Sequence, residues 1–429
     1  MLLVLVSGAT AAEPPMVTAA EPPIATAAEP PVGAAASVEV TAACVSTADC
    51  LSRMTLAEKA GQMTQVANTY ISNKQDITTY ALGSVLSGGG GGPNGAGGTA
   101  TQWADMVDDY QGYALRSRLG IPLLYGVDAV HGHNNVQGAT IFPHHIGMGA
   151  TRDAALVQRV EDITRQEVLG TGIRWSFAPC VCVPRDDRWG RTYEGYGEDP
   201  AIVSPLGAAA VRGLQGTAVG ATSVLANAKH YAGDGGTLFG TGDGGYLIDQ
   251  GDARISESEL RAVHLAPYQS AIAAGVGSVM VSYSSWNGQK LHGDRYLITD
   301  VLKGELGFAG LVVSDWAGVK QLPFPSYATQ VEHAVNAGID MIMVPDTYVA
   351  TINAIVNAVN AGRIPLLRVD DAVTRILNAK FALDLFNRPY TDRGHTGLVG
   401  SAEHRAAARE AVRKSLTLLK NDGGALPLP

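Results

Sequence analysis

Short, unbroken apolar runs alternate with amphipathic segments along the chain from about Met54 onward. Parallel strands covered by helices on both faces have this uninterrupted apolar character, whereas half-exposed strands alternate apolar and polar residues. The repeated pattern, over a length typical of that fold, predicts a (β/α)8 barrel that is irregular in its first strands. A doubly wound open sheet is the alternative. The predicted strands are 83–86, 122–125, 175–178, 224–228, 278–283, 311–314 and 340–344.

Helix signals lie between these strands. Segment 151–169 opens on Thr151 as a capping residue and carries apolar residues at three- and four-residue spacing. Ser256 and Glu259 have the spacing of a capping box at the start of another helix. The helix predicted over 350–361 ends before Gly362, a usual stop signal.

The first residues differ from the rest of the chain. MLLVLVSGATAA resembles the apolar core of a secretory signal without its basic start, and TAAEPP then occurs three times. Such proline-rich repeats predict an extended tether. We therefore expect a signal-like segment and tether over 1–43, the barrel over 44–400, and a linker with the start of a truncated second domain over 401–429. Secretion or export to the periplasm is the expected localisation.

Charge and cysteine content exclude several classes of function. The chain has 31 basic and 40 acidic residues and a net charge of −9, so we expect no nucleic-acid partner. The apolar start is too short to span a bilayer, so no membrane insertion is expected. Four cysteines are few for a disulfide framework. Cys44 and Cys50 can close a small loop in an oxidising compartment, whereas Cys180 and Cys182 lie too close in sequence to bridge without strain.

Charged or aromatic side chains follow five of the predicted strands at their C-terminal ends. In a parallel barrel these ends meet on the face that carries the active site. Taken singly, each side chain also has a structural interpretation, such as a turn cap for Asp128 or an ion pair between Arg191 and Glu194. Five strand ends together predict a site. Its candidate residues are Asp128, Arg191, Lys229, His230, Tyr283, Asp315 and Trp316.

This mixture of residue types suits a polyhydroxylated ring. Carboxylates accept from hydroxyl groups, Lys and Arg donate to them, and Trp stacks on the apolar face of a sugar. The sequence has no HExxH and no clustered His and Cys ligand spacing, so no metal is expected. No GxGxxG follows a strand, so no dinucleotide cofactor is expected. A Schiff base on Lys229 is the chemical competitor, although a lysine beside His230 and facing Asp315 would stay charged.

Several motifs in one order closely resemble the family 3 glycoside hydrolases. They are TLAEKAGQMTQV, GVDAVHGHNN, RWGRTYEGYGEDP, KHYAGDGGT, VMVSYSSWNG and VVSDWAGV. The resemblance runs from about residue 51 to the C-terminus, and in detail it is to the β-glucosidase and exo-1,3/1,4-β-glucanase branch.

The resemblance implies a retaining mechanism without a cofactor. Asp315 would be the nucleophile that forms a covalent glycosyl-enzyme. Tyr283 and Trp316 would line the subsite of the terminal glucose of β-glucosides and β-gluco-oligosaccharides. The hydroxyl groups of that glucose would be bound by Asp128, Arg191, Lys229 and His230.

The acid/base residue is not assignable in the sequence. Family members with two domains take it from the second domain. The last residues of this chain, SLTLLKNDGGALPLP, resemble the opening segment of that domain. Single-domain β-N-acetylglucosaminidases use a histidine in the loop after the Lys-His motif. Here that loop reads GDGGTLFGTGDGGYLIDQGD and has no histidine, and Asp243 within it is not assigned as the donor. We expect an exo-acting β-glucosidase that is truncated or needs a missing module. The alternatives are a catalytically impaired sugar-binding barrel and, third, a β-N-acetylglucosaminidase.

Overall fold

The computed structural model describes residues 44–427 with the exception of 96 and 425. The signal-like segment and tether predicted over 1–43 lie outside the described residues.

Within this described part of the chain, eight parallel strands close into a barrel. One sheet has the order β8-β1-β2-β3-β4 and a second has the order β7-β6-β5. Isolated bridges between Trp175 and Leu225 and between Val313 and Met341 join the two sheets at both edges. The strands are β1 Thr64–Ala67, β2 Ser84–Ser87, β3 Leu124–Val127, β4 Trp175–Ser176, β5 Asn227–Tyr231, β6 Ser278–Val281, β7 Leu311–Val313 and β8 Ile342–Val344. The predicted fold class is confirmed.

Helices follow every barrel strand. After β1 to β8 the chain forms, in order, Gln75–Thr79, Ala100–Leu115, Ala154–Leu169, Pro200–Gln215, Ala266–Ala273, Tyr296–Glu305, Tyr327–Ala337 and Tyr348–Asn360. Tyr296–Glu305 is a π-helix, and a second π-helical segment, Leu260–Leu265, precedes Ala266–Ala273. Further helices are Thr47–Arg53, Leu56–Gln62, His145–Ala150, Leu366–Ala382 and Ala402–Ser415. A small separate sheet is formed by Asp252–Ala253, Ser285–Trp286 and Gln289–Lys290.

The ends of the predicted strands are shifted by up to three residues, as at 224–228 against the observed Asn227–Tyr231, and two further differences concern the strands themselves. Strand β1 was missed because it begins Thr64-Gln65, and Gln65 is polar yet fully buried, with its amide donating to the Ser84 hydroxyl at 2.7 Å. The irregularity lies at β4 and β5 rather than in the first strands. Strand β4 has only two residues, and the register of β5 against β6 shifts between Ala228 and Tyr231.

The helix caps follow the sequence signals with one correction. Asp153, not Thr151, caps Ala154–Leu169, because the Asp153 carboxylate accepts from the Leu156 N–H at 2.9 Å. Ser256 accepts from the Glu259 N–H at 3.2 Å, which is one of the two hydrogen bonds of the predicted capping box. Gly362 follows Tyr348–Asn360 with a φ of 70°, a left-handed conformation that suits glycine after a helix.

Both cysteine pairs are bonded. Cys44 is joined to Cys50, at the start of the described chain. Cys180 is joined to Cys182. Their Cα atoms are 5.3 Å apart, inside the range that a disulfide needs.

Helix Ala402–Ser415 lies in the segment predicted as a linker. It packs on His145–Ala150 and Ala154–Leu169, and Nδ1 of the buried His404 lies 2.8 Å from Oε1 of Glu167. The domain boundary at residue 400 stays a prediction. Across the part of the chain that the structure describes, no helix is both long enough and apolar enough to cross a membrane.

Candidate active site

One cavity of about 240 Å³ is lined by all seven side chains that the sequence predicted as a site. They come from the C-terminal ends of β3, β5, β6 and β7 and from the long loop after β4, so the barrel topology brings them together. Its remaining wall is largely apolar. That part was not predicted, because these residues belong to ordinary apolar runs or loops: Leu86, Gly88, Phe177, Met280 and Met343.

Asp315 follows β7 and is buried, with one carboxylate oxygen bound and the other without a hydrogen bond from the described residues. The Trp316 N–H donates to Oδ1 at 2.7 Å. Oδ2 accepts no hydrogen bond from the described residues, and Nε2 of His230 lies 3.8 Å from it. Burial raises the pKa of Asp315 to about 6, while Arg191 and the Trp316 N–H act in the opposite direction. The carboxyl is therefore ionised at neutral pH with unused acceptor capacity.

The backbone around Asp315 is held in an unusual conformation. The Asp315 N–H donates to Nε2 of His292 at 3.0 Å. Ala317 has a φ of 52°, which is uncommon for a residue with a Cβ and costs energy that the surroundings must offset. A Cβ at Gly318 would lie 2.4 Å from the His292 ring, so only glycine permits this approach. These contacts fix the direction of the Asp315 side chain.

His230 lies between a carboxylate and a guanidinium. Its Nδ1 is 2.8 Å from Oδ2 of Asp234, and its Nε2 is 3.0 Å from Nη2 of Arg191. Because a guanidinium only donates, Nε2 accepts and Nδ1 carries the proton that is donated to Asp234. Burial, together with Arg191 and Lys229, lowers the pKa of His230 well below its ordinary value. His230 is therefore neutral.

Two ion pairs complete the polar wall. Arg191 binds Glu194 through both ends of its guanidinium, with Nε–Oε1 at 2.7 Å and Nη2–Oε2 at 2.9 Å. The Lys229 ammonium donates to Oδ1 of Asp128 at 2.8 Å, so its partner is Asp128 rather than Asp315 as expected. An ion-paired ammonium is a poor nucleophile, which argues against a Schiff base on Lys229.

The described carboxylates near Asp315 all have partners. Glu194 is bound to Arg191, Asp128 to Lys229 and Asp234 to His230. Asp243 is exposed at the rim and pairs with Lys290 at 3.2 Å, and Lys290 also donates to the Tyr283 carbonyl at 3.0 Å. None of these groups is placed as an unengaged proton donor.

Sequence reasoning missed two residues of the site. Asp234 lies four residues after His230 within KHYAGDGGT, and this spacing is a signal that could have identified it. His292 supports Asp315 from 23 residues away in the sequence, and no local pattern marks it. Burial lowers the pKa of His292 to about 3, so its ring is neutral and can accept from the Asp315 N–H.

The chain is similar to known proteins over most of its length. Residues 55–379 match the family model for the glycosyl hydrolase family 3 N terminal domain. The lysosomal beta glucosidase of Dictyostelium discoideum is 36% identical over 410 residues, which cover 88% of this chain and 49% of that protein. The periplasmic beta-glucosidase of Salmonella typhimurium is 34% identical over 395 residues, which cover 89% of this chain and 48% of that protein. The chain thus spans about half the length of these relatives.

Solved structures share the fold. The exo-1,3/1,4-beta-glucanase from a Pseudoalteromonas species superposes with a TM-score of 0.83 at 44% identity, covering 89% of this chain and 48% of that one. The beta-glucosidase from Listeria innocua in complex with glucose superposes with a TM-score of 0.77 at 28% identity, covering 89% of this chain and 53% of that one. The family match spans most of the described residues, and the chain belongs to glycosyl hydrolase family 3, whose N-terminal domain it contains.

Proposed function

We propose that this chain forms the catalytic barrel of a retaining, exo-acting β-glucosidase or β-glucan glucohydrolase, with Asp315 as its nucleophile. The observation that carries the proposal is the cavity that gathers all seven predicted side chains around an Asp315 oxygen to which no described residue donates a hydrogen bond. That oxygen keeps its lone pairs for an electrophile, the anomeric carbon of a bound sugar.

The chemistry follows in two steps. The Asp315 carboxylate bonds to the anomeric carbon while the bond from that carbon to the leaving oxygen breaks. The leaving oxygen departs as an anion or takes a proton from solvent. Water then attacks the same carbon and gives up a proton to solvent, the Asp315 bond breaks, and glucose is released with its β-configuration retained. The ion-paired side chains of Lys229 and Arg191 would donate to sugar hydroxyl groups, and the Asp128 carboxylate would accept from them.

The size of the cavity supports exo action on a terminal sugar. At about 240 Å³ it is smaller than the ~300–1,000 Å³ typical of sites for larger ligands. The names of the relatives, β-glucosidases and an exo-1,3/1,4-β-glucanase, support β-glucosides and β-gluco-oligosaccharides as substrates. The loop after Lys229 and His230 lacks a histidine, which disfavours the β-N-acetylglucosaminidase alternative.

The rate of cleavage should depend on the leaving group, because the described carboxylates near Asp315 are all paired and none is placed as a general acid. Without a general acid, the rate falls by about 10²–10⁴-fold for a poor leaving group. We expect the purified chain to cleave dinitrophenyl β-glucoside, whose leaving group needs no protonation, far faster than laminaribiose. Equal rates on both substrates would mean that one of the described carboxyls acts as the acid, and this part of the proposal would be wrong.

A mechanism-based inactivator tests the nucleophile. Dinitrophenyl 2-deoxy-2-fluoro-β-glucoside should inactivate the chain with time and add one fluoroglucosyl group, which peptide mapping should locate on Asp315. Asp315→Asn should remain unlabelled, and Asp243→Asn, at the exposed rim, should be labelled like the unmodified chain. Absence of labelling in a folded sample would contradict the proposal.

A sugar-binding barrel without catalysis is the second candidate. The pairing of every described carboxylate near Asp315 favours it, because no proton donor is at hand among these residues. The two candidates differ in the labelling experiment. Glucose binding measured by calorimetry, combined with the absence of a covalent adduct, would support binding alone.

We further infer that the protein acts in an exported compartment. The Cys44–Cys50 disulfide is typical of oxidising environments, and the Salmonella relative is named periplasmic. Fractionation of producing cells should place the mature protein outside the cytoplasm. Recovery from the cytosol with both disulfides reduced would contradict this inference.

A further inference from the structure

Three buried side chains with metal-binding atoms lie directly behind the candidate nucleophile. The Cys180 Sγ, a His230 nitrogen and an Asp234 carboxylate oxygen are all within 4.8 Å of one another. Cys180 is fully buried, and His230 and Asp234 are 3% and 6% exposed. Sequence spacing concealed this cluster, because Cys180 lies 50 residues before His230 and follows a different strand.

The fold holds these three residues together. After β4, the chain runs alongside β5, and the Val181 N–H donates to the Lys229 carbonyl at 3.0 Å, while the Lys229 N–H donates to the Pro179 carbonyl at 3.1 Å. This pairing sets Cys180 opposite Lys229, and His230 follows Lys229 in β5. Asp234 is bound to Nδ1 of His230 at 2.8 Å.

We propose that Cys180, His230 and Asp234 form a binding site for a soft divalent metal ion such as Zn²⁺, and that the Cys180–Cys182 disulfide closes this site. A thiolate, an imidazole and a carboxylate are all zinc ligands, with a fourth position left for water. Zinc–ligand bonds of about 2.0–2.3 Å put the ligand atoms roughly 3–4 Å apart. The observed cluster therefore needs only small side-chain movements to enclose an ion.

Opening the site is a two-electron reduction. A phosphine reductant is oxidised to its phosphine oxide with an oxygen atom from water, and the disulfide becomes two thiols. Zn²⁺ then displaces the Cys180 thiol proton to solvent, and the Cys180 thiolate and the Asp234 carboxylate together balance the charge of the ion. The imidazole binds through Nδ1, so its proton moves from Nδ1 to Nε2.

The change of tautomer affects the nucleophile. Nε2 of His230 accepts from Arg191 in the disulfide form and lies 3.8 Å from Oδ2 of Asp315. Once protonated, Nε2 can no longer accept from Arg191 and instead becomes a donor for Oδ2. The metal would thus inhibit formation of the glycosyl-enzyme. This consequence rests on the proposed function, whereas metal binding itself does not.

Two single variants test the site. Cys182→Ala leaves Cys180 as a permanent thiol, and Cys180→Ala removes the ligand but leaves an equivalent free thiol at Cys182. Co²⁺ is the probe, because a cobalt thiolate bond gives a charge-transfer absorption band that reports the metal independently of activity. We expect one Co²⁺ per chain in Cys182→Ala, displaced by Zn²⁺. In Cys180→Ala we expect affinity at least about tenfold weaker, since even loss of an outer-shell partner of a metal ligand typically costs about 10–100-fold.

The unmodified chain gives a second measurement that needs no substitution. It should show no cobalt thiolate band as isolated and should gain one after treatment with tris(carboxyethyl)phosphine. Equal spectra for the two variants, or the absence of a band in the reduced and folded chain, would overturn the proposal. If the band forms while fluoroglucosyl labelling of Asp315 continues unchanged, the site exists but its inhibitory consequence is wrong.

Discussion

Two buried aspartates at opposite ends of the barrel are used in contrasting ways. Asp340, just before β8 at the N-terminal end, accepts from the Lys303 ammonium at 2.7 Å, from the Val312 N–H at 2.8 Å, and from Arg368. Asp315, just after β7 at the C-terminal end, has one oxygen without a hydrogen bond from the described residues. A saturated carboxylate stabilises the fold, whereas an unsaturated one beside a cavity retains capacity to react.

The cation distribution explains this difference. At Asp340, Lys303 and Arg368 both bind the carboxylate directly. At the cavity, Lys229 is paired with Asp128 and Arg191 is paired with Glu194. Asp315 therefore lies near both cations without forming a direct ion pair with Lys229 or Arg191. The same residue types therefore give structure at one end of the barrel and a candidate active site at the other. The following substitutions test this contrast.

Substitution of Asp315 should have the largest effect on activity. We expect Asp315→Asn to lower the rate on dinitrophenyl β-glucoside by on the order of 10⁴- to 10⁶-fold, as when a member of a catalytic unit is removed. Its midpoint of thermal unfolding should stay equal or rise, since a buried, incompletely satisfied charge is lost. Activity within about tenfold of the unmodified chain would remove Asp315 from the nucleophile role.

Substitution of Asp340 should have the largest effect on stability. Asp340→Asn leaves Lys303 and Arg368 with only the more exposed Asp371 as a counter-charge, and breaking a buried pair typically costs about 3–5 kcal/mol. Urea unfolding measures this loss, and the surviving folded fraction should still be labelled at Asp315. A loss below about 1 kcal/mol would show that the Asp340 network is not what secures this end of the barrel.

A third buried carboxyl sharpens the contrast, because Glu161 has neither a close cationic partner nor a place in the cavity wall. It lies 3.9 Å from His145, and burial raises the pKa of Glu161 to about 8. The folded state therefore favours the protonated Glu161 carboxyl. The contribution of this carboxyl to the free energy of unfolding is complete below about pH 4.5, its ordinary pKa, and is lost as pH rises through about 8. Between about pH 6 and 8 we expect the unmodified chain to lose about 2 kcal/mol relative to Glu161→Gln, measured by urea unfolding. Parallel pH profiles for the two proteins would contradict this.

Asp128 should show the smallest effect, because its side chain is about half exposed. Asp128→Asn keeps the shape but removes the charge that Lys229 binds. We expect roughly a tenfold loss in kcat/KM, the scale of one screened charge-assisted contact, with little change in thermal stability. Steady-state kinetics beside Asp243→Asn as the rim control would measure it. A loss as large as that of Asp315→Asn would mean that Asp128 takes part in bond formation.

Polar groups that interrupt apolar runs are visible without a structure, and for this reason the fold class and all seven cavity-lining candidates could be predicted. Prediction failed where a polar residue, which usually indicates an exposed position, is buried in the core. Gln65 made β1 unrecognisable, although its amide donates to Ser84 inside the barrel. The pairing of Lys229 with Asp128, and the cluster of Cys180 with His230 and Asp234, depend on distances between strands that no sequence spacing encodes.

Azide rescue tests the role of Asp315 most directly. Asp315→Gly removes the carboxylate and leaves space for a small anion on the same face of the sugar. With dinitrophenyl β-glucoside as substrate, we expect turnover to be lost and then restored by azide, with α-glucosyl azide as the product identified by NMR. A β-glucosyl azide product, or an Asp315→Gly variant that turns over normally without azide, would contradict the assignment of Asp315 as the nucleophile.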